Sequence, residues 1–116
     1  MSDAALDPVL PLSRSLLHLL MALQEGERHG YAVMKWVEDH TDGVVRMGPG
    51  TLYTTIQRAE TLGLIVESDE RAPSEEDQRQ RKYYDLTPLG LSALRAEVER
   101  WGAFVDRARA TLSRGG

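Results

Sequence analysis

The tripeptide Gly48-Pro49-Gly50 constrains the fold of this chain more than any other feature of the sequence. Proline lacks an N–H and has φ fixed near the helical value, so it suits the first position of a helix and disrupts a helix interior. The tripeptide therefore predicts that a helix begins here. Three apolar residues have the spacing of its inward face: Leu52, Ile56 and Ala59. Gly63 fits a left-handed C-cap after that helix.

Two amphipathic helices are predicted before this one. Ser13 is a favourable N-cap for the first helix, and Gly26 supplies its stop. The apolar residues of the first helix have helical spacing: Leu16, Leu17, Leu20, Met21 and Leu23. The second helix is predicted from Gly30 to about His40, with apolar positions at Tyr31, Val33, Met34 and Val37. Residues 1–12 contain prolines and no clear period, so a flexible N-terminal arm is expected there.

A two-stranded hairpin is predicted after the third helix. Residues 64–66 are rich in β-branched side chains, residues 68–80 are polar, and residues 81–86 form the second candidate strand. Because side chains alternate along a strand, Tyr84 is expected on the inner face and Tyr83 on the outer face.

The last helix is predicted to open at Thr87-Pro88 and to run to about Leu112. Its apolar residues alternate spacings of three and four, which is the a/d pattern of a coiled-coil seam. The members of this seam are Leu91, Leu94, Val98, Trp101, Val105, Ala108 and Leu112. We therefore predict that this helix packs against a second copy of the chain as a homodimer.

The order of these elements is that of a winged helix-turn-helix. The predicted fold class is mostly α with a small β hairpin (α+β), in which residues 13–86 form the winged helix-turn-helix and residues 87–113 the dimerisation helix. In such a fold the third helix enters the major groove of double-stranded DNA, and the hairpin is the wing.

Five short motifs follow one another in the sequence: His29-Gly30-Tyr31, Pro49-Gly50-Thr51-Leu52-Tyr53, Leu62-Gly63-Leu64-Ile65, Arg81-Lys82-Tyr83-Tyr84 and Leu86-Thr87. Together they resemble the PadR family of transcriptional regulators over roughly residues 13–112. The resemblance implies a homodimeric winged-helix repressor of the short form, with one C-terminal dimerisation helix. It also implies, for some members, small planar aromatic effectors near the dimer interface. Gly48, where the family often has serine, and the acidic residues 75–77 depart from the pattern.

Ten side chains are candidates for DNA contacts, on the second and third helices and at the base of the wing: Tyr31, Thr51, Tyr53, Thr54, Gln57, Arg58, Arg79, Arg81, Lys82 and Tyr83. Any solvent-exposed helix face could explain the residues of the third helix, but their motif context favours DNA. We expect Gln57 and Arg58 to approach bases or phosphates and hydroxyl groups to fix the register. Lys82 and its neighbouring arginines provide local positive charge for phosphate contact.

The net charge of −4 is the main argument against DNA binding. It leaves open an alternative, a winged-helix module that binds another protein without reading DNA sequence. The chain contains no cysteine and no apolar run of membrane length, and residues 1–7 lack the basic region of a signal peptide. A cytoplasmic protein without membrane contacts is therefore expected.

Trp101 and Phe104 are candidates for binding an effector, because two symmetry-related indoles could flank a gap between protomers. The simpler interpretation is that Trp101 packs in the core, as aromatic residues at helical spacing usually do. The histidines lie on separate elements without metal-ligand spacing, so no metal is assigned. No nucleophile or phosphate-binding glycine loop is recognisable either, so neither a cofactor nor an enzyme activity is expected.

Overall fold

The computed structural model describes residues 10–68 and 82–115. Its elements are α1 (Arg14–Leu23), β1 (Arg28–His29), α2 (Gly30–His40), α3 (Pro49–Thr61), β2 (Ile65–Ser68), β3 (Tyr83–Leu86) and α4 (Pro88–Gly115). The strands form one antiparallel sheet in the order β1-β3-β2. The predicted class, mostly helical with a small sheet, is confirmed. Among the described residues, no helix is both long and apolar enough to cross a membrane.

Three of the four helices begin where their local chemistry predicts. The Oγ of Ser13 accepts a hydrogen bond from the Leu16 N–H at 3.2 Å and caps α1. Pro49 is the first residue of α3. At α4, the Oγ1 of Thr87 accepts from the Gly90 N–H at 3.0 Å. The Ser13 and Thr87 side chains replace hydrogen bonds that the first turn of a helix cannot make internally, whereas Pro49 has no N–H to satisfy.

The short strand β1 was not expected from the sequence. Arg28 pairs with Tyr84 and His29 with Tyr83, so β1 makes β3 the central strand of the sheet. His29 then caps α2, because its Nδ1 accepts the Ala32 N–H at 3.1 Å. Two residues are too few to show strand periodicity, and histidine is not among the preferred N-caps.

Helices α1, α2 and α3 bury one apolar face each around a common core. The largest fully buried apolar side chains are Leu16, Leu19, Leu20, Leu23, Val33, Val37, Leu52 and Leu64. Burying each of them contributes about 1.5–3 kcal/mol before entropy is subtracted. Tyr31 does not belong to this core, although its spacing suggested it. It is 67% exposed, because it lies in the first turn of α2 beside the edge strand β1.

Leu10 and Leu12, predicted to belong to the flexible arm, are instead packed on the protein. Leu12 is buried, and its N–H donates a hydrogen bond to the carboxylate of Glu97 on α4. Leu10 is partly buried against the same core. The remainder of the predicted arm, residues 1–9, lies outside the described residues.

The start of α4 is fixed to the turn between α3 and β2. The Thr87 N–H donates to the Leu64 carbonyl at 3.1 Å, and the Thr87 hydroxyl donates to the Gly63 carbonyl at 2.6 Å. A Cβ on Gly90 would lie 1.9 Å from the Leu64 oxygen, so only glycine fits at this contact. The first turns of α4 are therefore packed with the winged helix, although the predicted domain boundary follows Leu86.

Candidate nucleic-acid and dimer interfaces

Helix α3 presents a polar face to solvent. The candidate residues on this face are all exposed: Thr51, Tyr53, Thr54, Gln57 and Arg58. The intervening Leu52 and Ile56 are buried and fix the orientation of the helix. Thr55 is also buried, and its hydroxyl donates to the Thr51 carbonyl at 2.7 Å, so it does not contribute to the outer face.

The base of the wing contributes a second group of candidates. Lys82 is exposed just before β3, and Tyr83, the first residue of β3, is half-buried. Tyr83 and Tyr31 both have ring contacts with His29, so β3 and the first turn of α2 are neighbours. Arg79 and Arg81, which were also predicted to contact DNA, lie outside the described residues.

Carboxylates limit where a polyanion can approach this surface. Burial raises the pKa of Tyr84, and the charges of Glu60 and Glu67 raise it further. Glu60 near the end of α3 and Glu67 on β2 therefore place negative charge close to Tyr84. Arg46, just before α3, pairs with Glu38 at 3.6 Å, but both side chains are at least half exposed. Such a pair contributes little to stability, so Arg46 can exchange Glu38 for another anion.

The predicted dimer seam on α4 divides into a buried and an exposed part. Leu94 is 3% exposed and packs in the protomer core, so its assignment to the dimer interface is wrong. Leu91 is 36% exposed, and Ala108 is half-buried. The other seam residues are open to solvent in the single chain: Val98, Trp101, Val105 and Leu112. The core ends near Glu97, and beyond it none of the described residues of α4 is buried.

A groove of about 700 Å³ lies between α1, α2 and the exposed part of α4. Its apolar lining comprises Leu17, Met21, Trp36, Val98, Trp101 and Val105. Trp101 is 47% exposed, so it does not pack in the protomer core as the simpler interpretation held. Its ring meets that of Phe104 edge-on at 5.7 Å. On the opposite wall, Trp36 stacks on His40 with ring centroids 4.0 Å apart.

Sequence reasoning missed the α1 and α2 walls of this groove. One signal was available: the apolar series of α1 is wider than a single inward stripe, because Leu17 and Met21 accompany the core leucines. It also missed Glu97, whose carboxylate is fully buried and accepts from the guanidinium of Arg100. A Glu and an Arg three residues apart on a helix usually form a surface pair, so the sequence gave no sign of this burial.

Three helices, a wing with its edge strand, and a long C-terminal helix define this protein as a winged-helix regulator. The model of the PadR-like family of transcriptional regulators matches residues 19–96. This chain belongs to that family, whose members are transcriptional regulators and not enzymes.

Individual relatives agree with this assignment. The chain is 38% identical over 78 residues to a transcriptional regulator of Mycobacterium tuberculosis, covering 67% of this chain and 66% of that protein. The crystal structure of a PadR family regulator from Clostridium difficile matches with a TM-score of 0.68 and 22% identity, covering 86% of this chain and 98% of the other. One from Eggerthella lenta matches with a TM-score of 0.63 and 28% identity, covering 95% and 93%.

Proposed function

We propose that this chain is a transcriptional repressor that binds an inverted-repeat operator as a homodimer in the cytoplasm. The observation that carries the proposal is the exposed polar face of α3 beside the base of the wing. A helix in the major groove reads base edges through such side chains, while hydroxyl and cationic groups around it hold phosphates. Gln57 and Arg58 are the proposed readers of bases or phosphates, and Lys82 is a proposed phosphate contact.

The homodimer forms through the exposed apolar residues of α4. Val98, Trp101 and Val105 are large enough to build an interface, and leaving them in water would expose an apolar patch along the helix. In the proposed dimer each protomer reads one half-site, and half-sites one turn of DNA apart require the two copies of α3 to be separated by about 34 Å.

The groove beside Trp101 is the proposed site for a small planar aromatic effector that relieves repression. The half-exposed indole ring of Trp101 offers a stacking surface, Phe104 adjoins it, and the largely buried Trp36 lines the opposite wall. An effector there would contact the dimerisation helix and the α1–α2 pair together. Its occupancy would thereby change the spacing of the recognition helices and weaken operator binding.

An electrophoretic mobility shift at moderate salt tests the DNA-binding proposal, using the DNA upstream of the protein's own gene and a shuffled duplex. We expect a shift only with the natural sequence. Arg58→Ala and Lys82→Ala should each lower the affinity for the natural duplex by about tenfold, because each removes a charged contact of about 1.4 kcal/mol. Arg114→Ala, which removes an exposed arginine from the far end of α4, is the matched control and should bind normally. Equal binding to both duplexes would favour the protein-interaction alternative.

Light scattering tests the dimer. Val98→Asp places a charge in the exposed apolar face and should give a folded monomer that no longer shifts DNA. Ala103→Asp adds the same charge on another exposed face of α4 and should remain dimeric. A Val98→Asp protein that is still dimeric would contradict this interface.

Tryptophan fluorescence tests the effector site. A panel of planar aromatic compounds should quench wild-type emission and release DNA, and the quenching should disappear in Trp101→Ala. Because Trp36 also lines the groove, Trp36→Phe is needed to separate the two signals. A ligand affinity that is unchanged in both Trp101→Ala and Trp36→Phe would contradict this site.

A further inference from the structure

His29 connects two parts of the proposed DNA-binding surface that are distant in sequence. It is the last residue of β1 and, at the same time, the N-cap of α2. In the antiparallel ladder it lies directly opposite Tyr83 of β3. One residue therefore belongs both to the sheet that carries the wing and to the helix that precedes the recognition helix.

Two parts of the His29 side chain make contacts: the Nδ1 atom and the face and edge of the imidazole ring. Its Nδ1 accepts the Ala32 N–H at 3.1 Å, which satisfies a free donor of the first turn of α2. Its ring meets Tyr83 edge-on, with centroids 5.3 Å apart and an interplanar angle of 81°. The ring also stacks nearly parallel to that of Tyr31, with centroids 6.4 Å apart. Both distances lie in the range of favourable aromatic pairs.

The capping hydrogen bond alone does not account for a histidine here. Serine, threonine, asparagine or aspartate would cap α2 at least as well, and each is smaller. Histidine combines a ring nitrogen that accepts the capping hydrogen bond with an aromatic ring that contacts Tyr31 and Tyr83. Because one side chain both caps α2 and contacts Tyr83 of β3, His29 fixes the position of α2 relative to β3.

We propose that His29 is a positioning residue for operator binding, holding Tyr31 and Tyr83 at the separation that the DNA backbone requires. The inference rests on the proposed DNA-binding function. His29 itself makes no DNA contact in this scheme. Tyr31 is 67% exposed and Tyr83 is half-buried, so their hydroxyl groups are the ones placed to reach phosphates. Contacts supplied by separate elements lose strength when their supporting side chains are removed.

The test uses variants that keep the helix cap and remove the ring. His29→Asn and His29→Ser both supply an N-cap acceptor, so one can replace the other if it folds poorly. Affinity is measured by fluorescence anisotropy on a labelled duplex from upstream of the gene, and folding by circular dichroism. We expect the variants to melt like the wild-type protein but to bind the operator about tenfold more weakly. A tenfold loss of affinity corresponds to about 1.4 kcal/mol of binding free energy. His18→Asn is the matched control, since His18 also bonds a backbone group but lies on α1.

A double-mutant cycle separates positioning from a general structural role. If His29 acts through Tyr83, then His29→Asn should cost less than about twofold in affinity once Tyr83→Ala is present. A tenfold loss in both backgrounds would show that His29 acts independently of Tyr83 and would overturn the proposal. So would wild-type affinity in His29→Asn. If the wild-type protein itself does not distinguish the natural duplex from a shuffled one, the DNA-binding proposal fails, and the role of His29 fails with it.

Discussion

The two halves of α4 share one apolar pattern but lie in different environments. In the first half, Gly90, Ala93, Leu94 and Glu97 are buried against the winged helix. In the second half, Val98, Trp101 and Leu112 are exposed, the last at 74%. A helix of 28 residues is about 42 Å long, which is more than the winged helix can cover. The difference teaches that residues of one continuous apolar pattern can serve different purposes: the first part completes the protomer core, and the second part stays exposed, where we propose that a second copy packs.

The strongest test of this division is Gly90→Ala in the first half. A Cβ at this position would lie 1.9 Å from the Leu64 oxygen and 2.9 Å from its carbonyl carbon, so the backbone of α4 or of the α3–β2 turn must move. We expect a loss of about 3 kcal/mol in the free energy of unfolding, the upper range for overpacking. Urea unfolding at fixed protein concentration measures it. A loss below about 1 kcal/mol would contradict the tight contact between α4 and the turn.

Truncation of equivalent apolar residues in the two halves should separate folding from association. Leu94→Ala removes a core side chain and should cost about 2–5 kcal/mol in unfolding free energy, while the dimer affinity of the folded protein stays unchanged. Val98→Ala should weaken the dimer in analytical ultracentrifugation and leave the fold intact. If Leu94→Ala weakened association as strongly as Val98→Ala, the division at Glu97 would be incorrect.

Local chemistry was sufficient to predict most of the fold. Ser13, Pro49 and Thr87 mark helix starts because each satisfies or avoids an unpaired N–H in the first turn. Gly63 ends α3 with a positive φ of 76°, as its position suggested. Strand β1 could not be predicted, because its two residues are held by pairing with β3 and not by any pattern of their own.

The candidate sites were only partly predictable for a related reason. The polar face of α3 follows from helical periodicity, so its members could be named from the sequence. The walls of the groove come from three helices that meet only in the folded chain, so periodicity within one helix could not place Trp36 and Met21 opposite Trp101. Leu94 and Val98 have the same seam spacing, yet only the position of the core decides which one is covered by its own protomer.

A buried charge at the boundary between the two halves sharpens the comparison further. Glu97 accepts from Leu12 and Arg100, and loss of its charge should weaken both contacts. We expect Glu97→Gln to lower the unfolding free energy by about 1–3 kcal/mol, since a buried hydrogen-bonding group is then less well satisfied. Glu99→Gln, at an exposed position two residues away, should change it by less than about 0.5 kcal/mol. Equal effects in chemical denaturation would mean that Glu97 is solvated.

The smallest expected effect, and the only stabilising one, is that of Gly102→Ala in the second half. Apart from its chain neighbours and the backbone of its own helix, none of the described residues comes within 4 Å of a Cβ at Gly102, in contrast to Gly90 on the same helix. Alanine in a helix interior is favoured over glycine by about 0.5–1 kcal/mol, so the unfolding free energy should rise by that amount at constant protein concentration. A decrease would show that a partner packs directly on the Gly102 backbone beside Trp101. The second half would then be as closely packed in the dimer as the first half is in the protomer.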